Sequence, residues 1–381
     1  SQVLAYLKRL ANGRRIHLIS FEKADDWANV AERVRLARDI ASAGIAWHPL
    51  RYHKTPSVLA TAFDIMQGII VGVWLCVRYK IKIIHARSYI PSVIALTLKK
   101  LFNVKYIFDM RGFWADERID GGLWPKGGRI YRVAKWFEKR FLLSADSVVS
   151  LTNAAVDEMK KFDYLQGRLP NFKVITTCTD LNLFDFKKTN INNSSKESFV
   201  LGYVGSVGVW YLFDETLNCF KLILEKVPSA QLHIINRGGH QYIRERLIDK
   251  RINPNKVMIE TSDHAGVAKA MQSMDVGIFF IKPVYSKMSS APTKLGEFLG
   301  CGIPCLSNTK VGDMAVILND EKVGVALDSF DETSMKLGIE ELMTLLNDPE
   351  IRERCRSTAL KYFSLDIGVR SYNHIYNRLI S

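Results

Sequence analysis

The chain has 381 residues, 48% of them hydrophobic and 24% charged, which excludes a disordered, collagen-like or disulfide-dense protein and leaves room for two domains of ordinary size. Its formal charge of +14 is lopsided: residues 1–185 hold 29 Lys and Arg against 17 Asp and Glu (net +12), leaving 24 against 22 (net +2) for residues 186–381. Such a field draws phosphates, whether of a nucleic acid, an anionic lipid headgroup or a pyrophosphate-linked substrate, and charge alone does not choose among them.

An amphipathic helix over residues 1–13, closed by Gly13, leads straight into a strand at 16–20. A doubly wound domain ordinarily opens with a strand whose loop faces the ligand, so a short segment carrying that strand is expected to precede residue 1. The apolar stretch 57–77 is long enough to span a bilayer, but Asp64 and Gln67 near its middle are costly in hydrocarbon, and it is read as a buried helix. Further strands are expected at 81–85, 106–109, 147–151 and 173–176, separated by helical stretches. One of these, at 128–141, is basic and amphipathic, with Trp136 and Phe137 among Arg132, Lys135, Lys139 and Arg140; it suits an acidic bilayer or a scaffold role equally.

The polar stretch 187–198 has the composition of a linker. The expected division is therefore a first domain at 1–186 and a second at 199–362, with a final helical segment at 363–381 packing back toward the first. Strands in the second half are expected at 199–204, 231–235, 257–260, 276–280, 304–307 and 324–326. The alternation in both halves is that of βαβ units with parallel sheets. The six cysteines are scattered without a zinc-binding pattern and no secretory pattern opens the chain, so the thiols are expected to be reduced and the protein cytoplasmic.

Three clusters carry chemistry. In FDMRGFWADER (108–118), which follows a strand, Asp109 and Arg111 are the candidate reactive groups, and the alternative is a structural ion-pair network. His85 and Ser88, after the preceding strand, are placed at the same edge, although a lone His beside a strand is more often structural. LGYVGSVG (201–208) ends a strand in Gly205 and Ser206, where backbone approaches a phosphate closely, or is a plain turn. Arg237, at the end of the next strand, is a further cationic candidate. In SKMSSAPTKLGEFLGCGIPCLS (286–307), Ser289, Ser290 and Thr293 stand at a helix start, Lys294 adds a charge to the helix dipole, and Glu297 lies one turn on, where a carboxylate accepts from ribose hydroxyls. A capped surface helix is the plainer alternative.

PTKLGEFLGCGIPCL resembles the donor-site motif of retaining glycosyltransferases of family 4, P-x-K-x-x-E-x-x-x-x-G-x-P. The resemblance implies a GT-B fold, α/β, with two Rossmann-like doubly wound domains facing a central cleft. Lys294 and Glu297 are then contacts to phosphate and ribose. FDMRGFWADER is similar to a D-x-R-G/D-x-W element of enzymes that build bacterial surface polysaccharides, lipopolysaccharide among them. This chain departs from the family at two places: Ser289 stands where many members have a first glutamate, and Ser206 where an Arg is usual.

The reading implied is transfer of a hexosyl group, with retention, from a UDP- or GDP-sugar to a saccharide or lipid-linked acceptor. No metal and no cofactor are expected, nor a nucleic-acid partner. An anionic membrane surface is an expected partner of the basic first half, with the protein peripheral on the inner face of the cell membrane. The alternatives are a nucleotide-sugar epimerase of the same architecture and a non-catalytic anion-binding module.

Overall fold

The structure, a computed structural model, describes residues 2–185 and 199–380; the expected linker at 187–198 lies outside the described residues. In the first half α1 (Gln2–Leu10), β1 (Ile16–Glu22), α2 (Ala24–Ala28), α3 (Val30–Ser42), β2 (Ile45–Arg51), α4 (Ser57–Tyr79), β3 (Ile83–Arg87) and α5 (Tyr89–Phe102) are followed by β4 (Lys105–Asp109), α6 (Trp114–Asp120), α7 (Arg129–Ser144), β5 (Ser147–Ser150), α8 (Asn153–Lys160) and β6 (Phe172–Val174). The second half runs β7 (Val200–Val204), α9 (Phe213–Lys226), β8 (Gln231–Ile235), α10 (His240–Asp249), β9 (Val257–Glu260), α11 (His264–Met271), β10 (Val276–Ile278) and α12 (Thr293–Gly300). It closes with β11 (Cys305–Asn308), α13 (Met314–Asp320), β12 (Gly324–Leu327), α14 (Glu332–Leu346), α15 (Ile351–Phe363) and α16 (Leu365–Ile380).

All strand pairs are parallel. The first half forms a β1-β2 sheet and a β3-β4-β5-β6 sheet, the second half one sheet of order β12-β11-β10-β7-β8-β9. Helices cover the sheets, so strands such as VLGYV and SVVS are buried throughout, and VLGYV reads as a continuous apolar run rather than an alternating one. Several helix starts are set locally: the side chains of Thr152, Asp263 and Asp331 accept from the amides of Ala155, Gly266 and Ser334.

Two elements differ from the sequence reading. Strand β2, IAWHPLR, was not anticipated because it holds Pro49; it pairs only with β1, and an edge is where a strand tolerates proline. Helix α4 is not buried. Its inner face carries Asp64, whose carboxylate accepts from the His53 amide at 2.9 Å and meets the His53 ring at 2.6 Å, together with Gly68 and Gly72. The two glycines let α5 approach: a Cβ at Gly68 would stand 2.3 Å from Ile94 Cδ1, and one at Gly72 2.5 Å from Leu98 Cδ1. The opposite face, including Leu59, Met66 and Ile70, is exposed. The inner face is made of small and apolar residues, Ala60, Gly68, Gly72, Leu75 and Cys76, with Asp64 as its one polar group, while the larger apolar side chains point outward.

The chain passes between the two lobes twice, at adjacent points. Ile175 and Cys178 belong to the core shared with α1 and α16, whereas Leu181 and Phe184 already belong to the core of the second lobe, ahead of the polar stretch expected as the linker. On the way back Phe363 lies in the second core and Val369 and Tyr372 in the first. The passages touch: the Thr179 amide donates to the Phe363 carbonyl at 2.8 Å. Arg356 of α15 ties the outgoing passage down by donating to the carbonyls of Phe184 (2.6 Å), Leu181 (2.8 Å) and Gly300 (3.0 Å). Replacing Arg356 by Ala strands three carbonyls, and the expected loss is about 2 to 3 kcal/mol, measured as a lower midpoint in urea unfolding with an unchanged slope.

Candidate active site

In the second lobe β7 lies between β8 and β10, and the direction of winding reverses between β7 and β10. Open α/β sheets bind ligands outside the carboxyl ends of the strands at such a switch point. The residues found there are Gly205 after β7, the Phe279–Ile281 turn after β10, and the start of α12.

Helix α12 opens at Thr293 with Pro292 as its cap residue; no side chain caps it, and of its first-turn amides that of Leu295 donates to the Pro292 carbonyl at 3.1 Å. Lys294 is the second helical residue and only 7% exposed. Its Nζ has no hydrogen-bond partner among the described residues, lies 4.0 Å from the centre of the Tyr211 ring, and is also over the rings of Phe279 and Tyr203. Burial among aromatic faces pushes its pKa down to about 7, with Glu297 opposing that shift. Gly205, at φ 121°, leaves the space this ammonium occupies: a Cβ there would stand 2.7 Å from Nζ. The Gly205 loop is held by Asn236, which donates to the Gly205 carbonyl at 2.7 Å and accepts from the Gly239 amide at 2.6 Å. Lys294 and Gly205, 89 residues apart in sequence, thus face each other at the switch point.

Glu297, one turn on, is largely buried and meets His264 of α11 at 3.4 Å. The hydrogen bond that His264 donates to this carboxylate raises the His264 pKa above its ordinary value, against the effect of burial. Because His264 is itself exposed, Glu297 is engaged at the surface and not sealed in the interior. The remaining second-lobe candidates are placed differently. Ser206 is exposed and its carbonyl accepts from the Tyr203 hydroxyl at 2.8 Å. Arg237 is exposed after β8 and donates to the Ser262 carbonyl at 3.4 Å. Thr293 is half-buried at the helix start, and Ser290 lines an interlobe cavity of about 610 Å³ with Thr152, Thr176, Asp313 and Ser371.

Ser289 is buried and committed elsewhere: its hydroxyl accepts from the Phe113 amide at 2.8 Å and donates to the Ser286 carbonyl at 2.7 Å. It joins the two lobes. Around it the Ser286 amide donates to Asp120 (2.9 Å), Lys287 binds Glu117 (2.7 Å) while lying 3.8 Å from the centre of the Trp210 ring, and Tyr285 stacks on Phe113. Two of the three clusters found in the sequence, 108–118 and 286–307, therefore meet along this seam. Glu117 and Asp116 serve structural ion pairs there, the latter with Lys135 at 3.0 Å.

In the first lobe Asp109, the last residue of β4, and His85, in the middle of neighbouring β3, are brought together with 3.4 Å between His85 Nε2 and Asp109 Oδ2. Both also bind α16: Tyr372 donates to Asp109 at 2.9 Å, and Tyr376 meets His85 Nδ1 at 2.7 Å. Asp109 is 1% exposed; burial raises its pKa, but His85, Arg87 and Tyr372 outweigh that and hold it below the ordinary carboxylate value. Arg111 is exposed, with φ 61°, just past this network. Arg87, not singled out in the sequence, adds a second guanidinium 3.8 Å from Asp109, with its Nε buried and lacking a partner among the described residues. Asn236, His264 and Lys287 were missed as well; none belongs to a pattern legible in sequence.

Two family models match the chain, one described as glycosyl transferase 4-like domain over residues 5–168 and one as glycosyl transferases group 1 over residues 185–362. No curated protein matches it by sequence. Among solved structures, a glycosyltransferase from Rickettsia africae superposes with a TM-score of 0.74 at 15% identity, covering 100% of this chain and 93% of that one. Sucrose-phosphate synthase from Thermosynechococcus elongatus gives 0.67 at 15% identity, covering 96% and 99%. Anabaena HepE, solved with UDP-glucose, gives 0.64 at 14% identity, covering 99% and 95%. With both lobes matched by models of one kind of enzyme and the whole chain sharing the GT-B architecture, the protein belongs to the group 1 glycosyltransferases, which transfer sugars from sugar nucleotides.

Proposed function

We propose that the chain moves a hexosyl group from a UDP- or GDP-sugar to a saccharide or lipid-linked acceptor, with retention and without a metal, in cell-surface polysaccharide synthesis. The observation that carries this reading is Lys294: a buried ammonium without a hydrogen-bond partner among the described residues, beside a glycine loop and a helix start, at the sheet's switch point. A diphosphate supplies what that group lacks.

Lys294 and the first amides of α12 take up the negative charge that grows on the diphosphate as the bond from the sugar breaks. That charge is met without a cation from solution. Gly205 gives the phosphates room, Glu297 accepts from the ribose hydroxyls on exchange with His264, and Arg237 reaches the site from the next loop. From the first lobe Arg111 contacts donor phosphate or acceptor, while the His85–Asp109 pair holds the facing strands. The UDP and UDP-glucose bound to Anabaena HepE support a uridine donor, and the likeness of 292–306 to retaining enzymes supports retention. The +12 charge of residues 1–185 favours an acidic inner membrane surface, where lipid-linked acceptors reside.

Thermal shift against a panel of UDP- and GDP-sugars is expected to give a single class of stabilising donor. Lys294→Met is expected to abolish that shift and, by removing an ammonium buried at a cost, to raise the melting temperature of the protein alone. A variant that still binds the donor as the wild type does removes the central role of Lys294.

The pH dependence has a definite sign. In the free protein Lys294 loses its proton near pH 7, whereas a bound diphosphate favours the charged form, so binding above pH 7 takes up a proton. Donor affinity is expected to fall by about tenfold per pH unit above 7 until the pKa of the complex is reached, and Lys294→Arg is expected to flatten that slope. For stability the order is reversed. The unfolded lysine titrates near its ordinary value, so below pH 7 its burial is at its most costly, and this contribution to stability improves as pH rises from 7 toward 10.

Retention is tested with water as the acceptor: slow hydrolysis of an α-linked donor, followed by proton NMR, is expected to release the α-anomer first. Initial release of the β-anomer establishes inversion instead. A product that remains a nucleotide sugar without any acceptor establishes the epimerase alternative.

A further inference from the structure

One apolar surface that the nucleotide site leaves unused is the outer face of α4. Leu59, Phe63, Met66, Ile70, Trp74 and Val77 are each between 50% and 70% exposed. They recur every three or four residues, so they form one stripe about 27 Å long. No charge interrupts it, since Asp64 lies on the inner face, bound to His53. Charge gathers at the two ends instead: Arg51 and Lys54 before the helix and Arg78, Lys80 and Lys82 at and after its end are all exposed. From 51 to 82 these five cations are opposed only by the buried Asp64. An apolar stripe of this extent marks an interaction surface.

Charge decides between the two candidate covers. A second copy of α4 laid antiparallel sets Arg51 and Lys54 against Arg78, Lys80 and Lys82, and a parallel copy sets each cluster against itself; both arrangements repel. An acidic bilayer surface is complementary at both ends and accepts the stripe between them. The inner face fixes the orientation, because Gly68 and Gly72 seat the helix against α5 and hold it along the lobe. Held lengthwise in this way, the helix presents its stripe side-on.

We infer that α4 is an in-plane docking helix that inserts Leu59, Phe63, Met66, Ile70, Trp74 and Val77 into the interface of an acidic bilayer. The inference rests on the membrane reading above and names the element that executes it. Helix α7, which α5 also contacts, offers a second basic and apolar surface through Ile130, Val133 and Trp136 beside Arg129 and Arg132.

The test is co-sedimentation of the full chain with vesicles of equal parts phosphatidylglycerol and phosphatidylcholine, against phosphatidylcholine alone. The wild type is expected to pellet with the acidic vesicles. The double variant Ile70→Glu, Trp74→Glu is expected to bind them about tenfold less or weaker still, since it places two carboxylates in the inserting face. The triple variant Arg78→Glu, Lys80→Glu, Lys82→Glu is expected to lose most of the preference for acidic lipid. Both variants change exposed groups only, and both are expected to keep the wild-type melting temperature and the thermal shift with donor. A lost donor response in the wild type sinks the donor reading and not this one. Three outcomes overturn the docking helix: a wild type that pellets with neither vesicle, a double variant that pellets as the wild type does, or a dimer in sedimentation velocity that Ile70→Glu dissociates.

Discussion

An ammonium group closed in by three aromatic rings, with no acceptor among the described residues, is held in place by the packing around it. Tyr203, Tyr211 and Phe279 are contributed by β7, the loop after it and the end of β10, so the pocket for Lys294 exists only when both strands flanking the switch point are in register. Aromatic faces soften the desolvation of a cation without neutralising it. In the donor-binding role proposed for it, that charge is what an anion would meet, and binding and folding would then be coupled through this one side chain.

The segment that leads into α12 links this pocket to the other lobe. Residues 285–289 hold the first lobe through Ser286, Lys287 and Ser289, and the chain then runs within five residues of Ser289 to Lys294. The seam mixes polar and charged ties with apolar contacts, the stacked Tyr285–Phe113 pair and Met288 packed on the first-lobe core among them, the mixture typical of interfaces between domains. Asn153 and Asp313 add a further tie on the far side, through the Asn153 amide at 2.7 Å.

What the sequence revealed follows the range of the interactions involved. The alternation of strands and helices and the placing of Lys294 and Glu297 one helical turn apart are local, and both were legible. Strand β2 was hidden by Pro49, whose cost depends on whether a neighbour needs its amide, a fact of tertiary pairing. In α4 the composition is so uniformly apolar that periodicity did not separate its two faces; only the positions of Ile94 and Leu98 show that the glycine side is the inner one. The partners of His85 and Asp109 are Tyr376 and Tyr372, 291 and 263 residues away, and no spacing in the sequence signals them. Ser289 stood in the right segment, but its hydroxyl is directed to a backbone amide of the other lobe.

The paired passages at Thr179 and Phe363 bear on how the lobes move. Two chain segments bridged by a hydrogen bond at one place act as a pivot, since they resist sliding and separation but allow rotation about their common line. Gly296 of α12 packs directly on this pivot, where a Cβ would stand 2.7 Å from the Thr179 hydroxyl and 2.8 Å from the Phe363 ring. The helix that carries Lys294 and Glu297 is therefore mounted where the two chain passages meet, so a rotation of the lobes about that line would displace the start of α12 less than the outlying loop that carries Arg111.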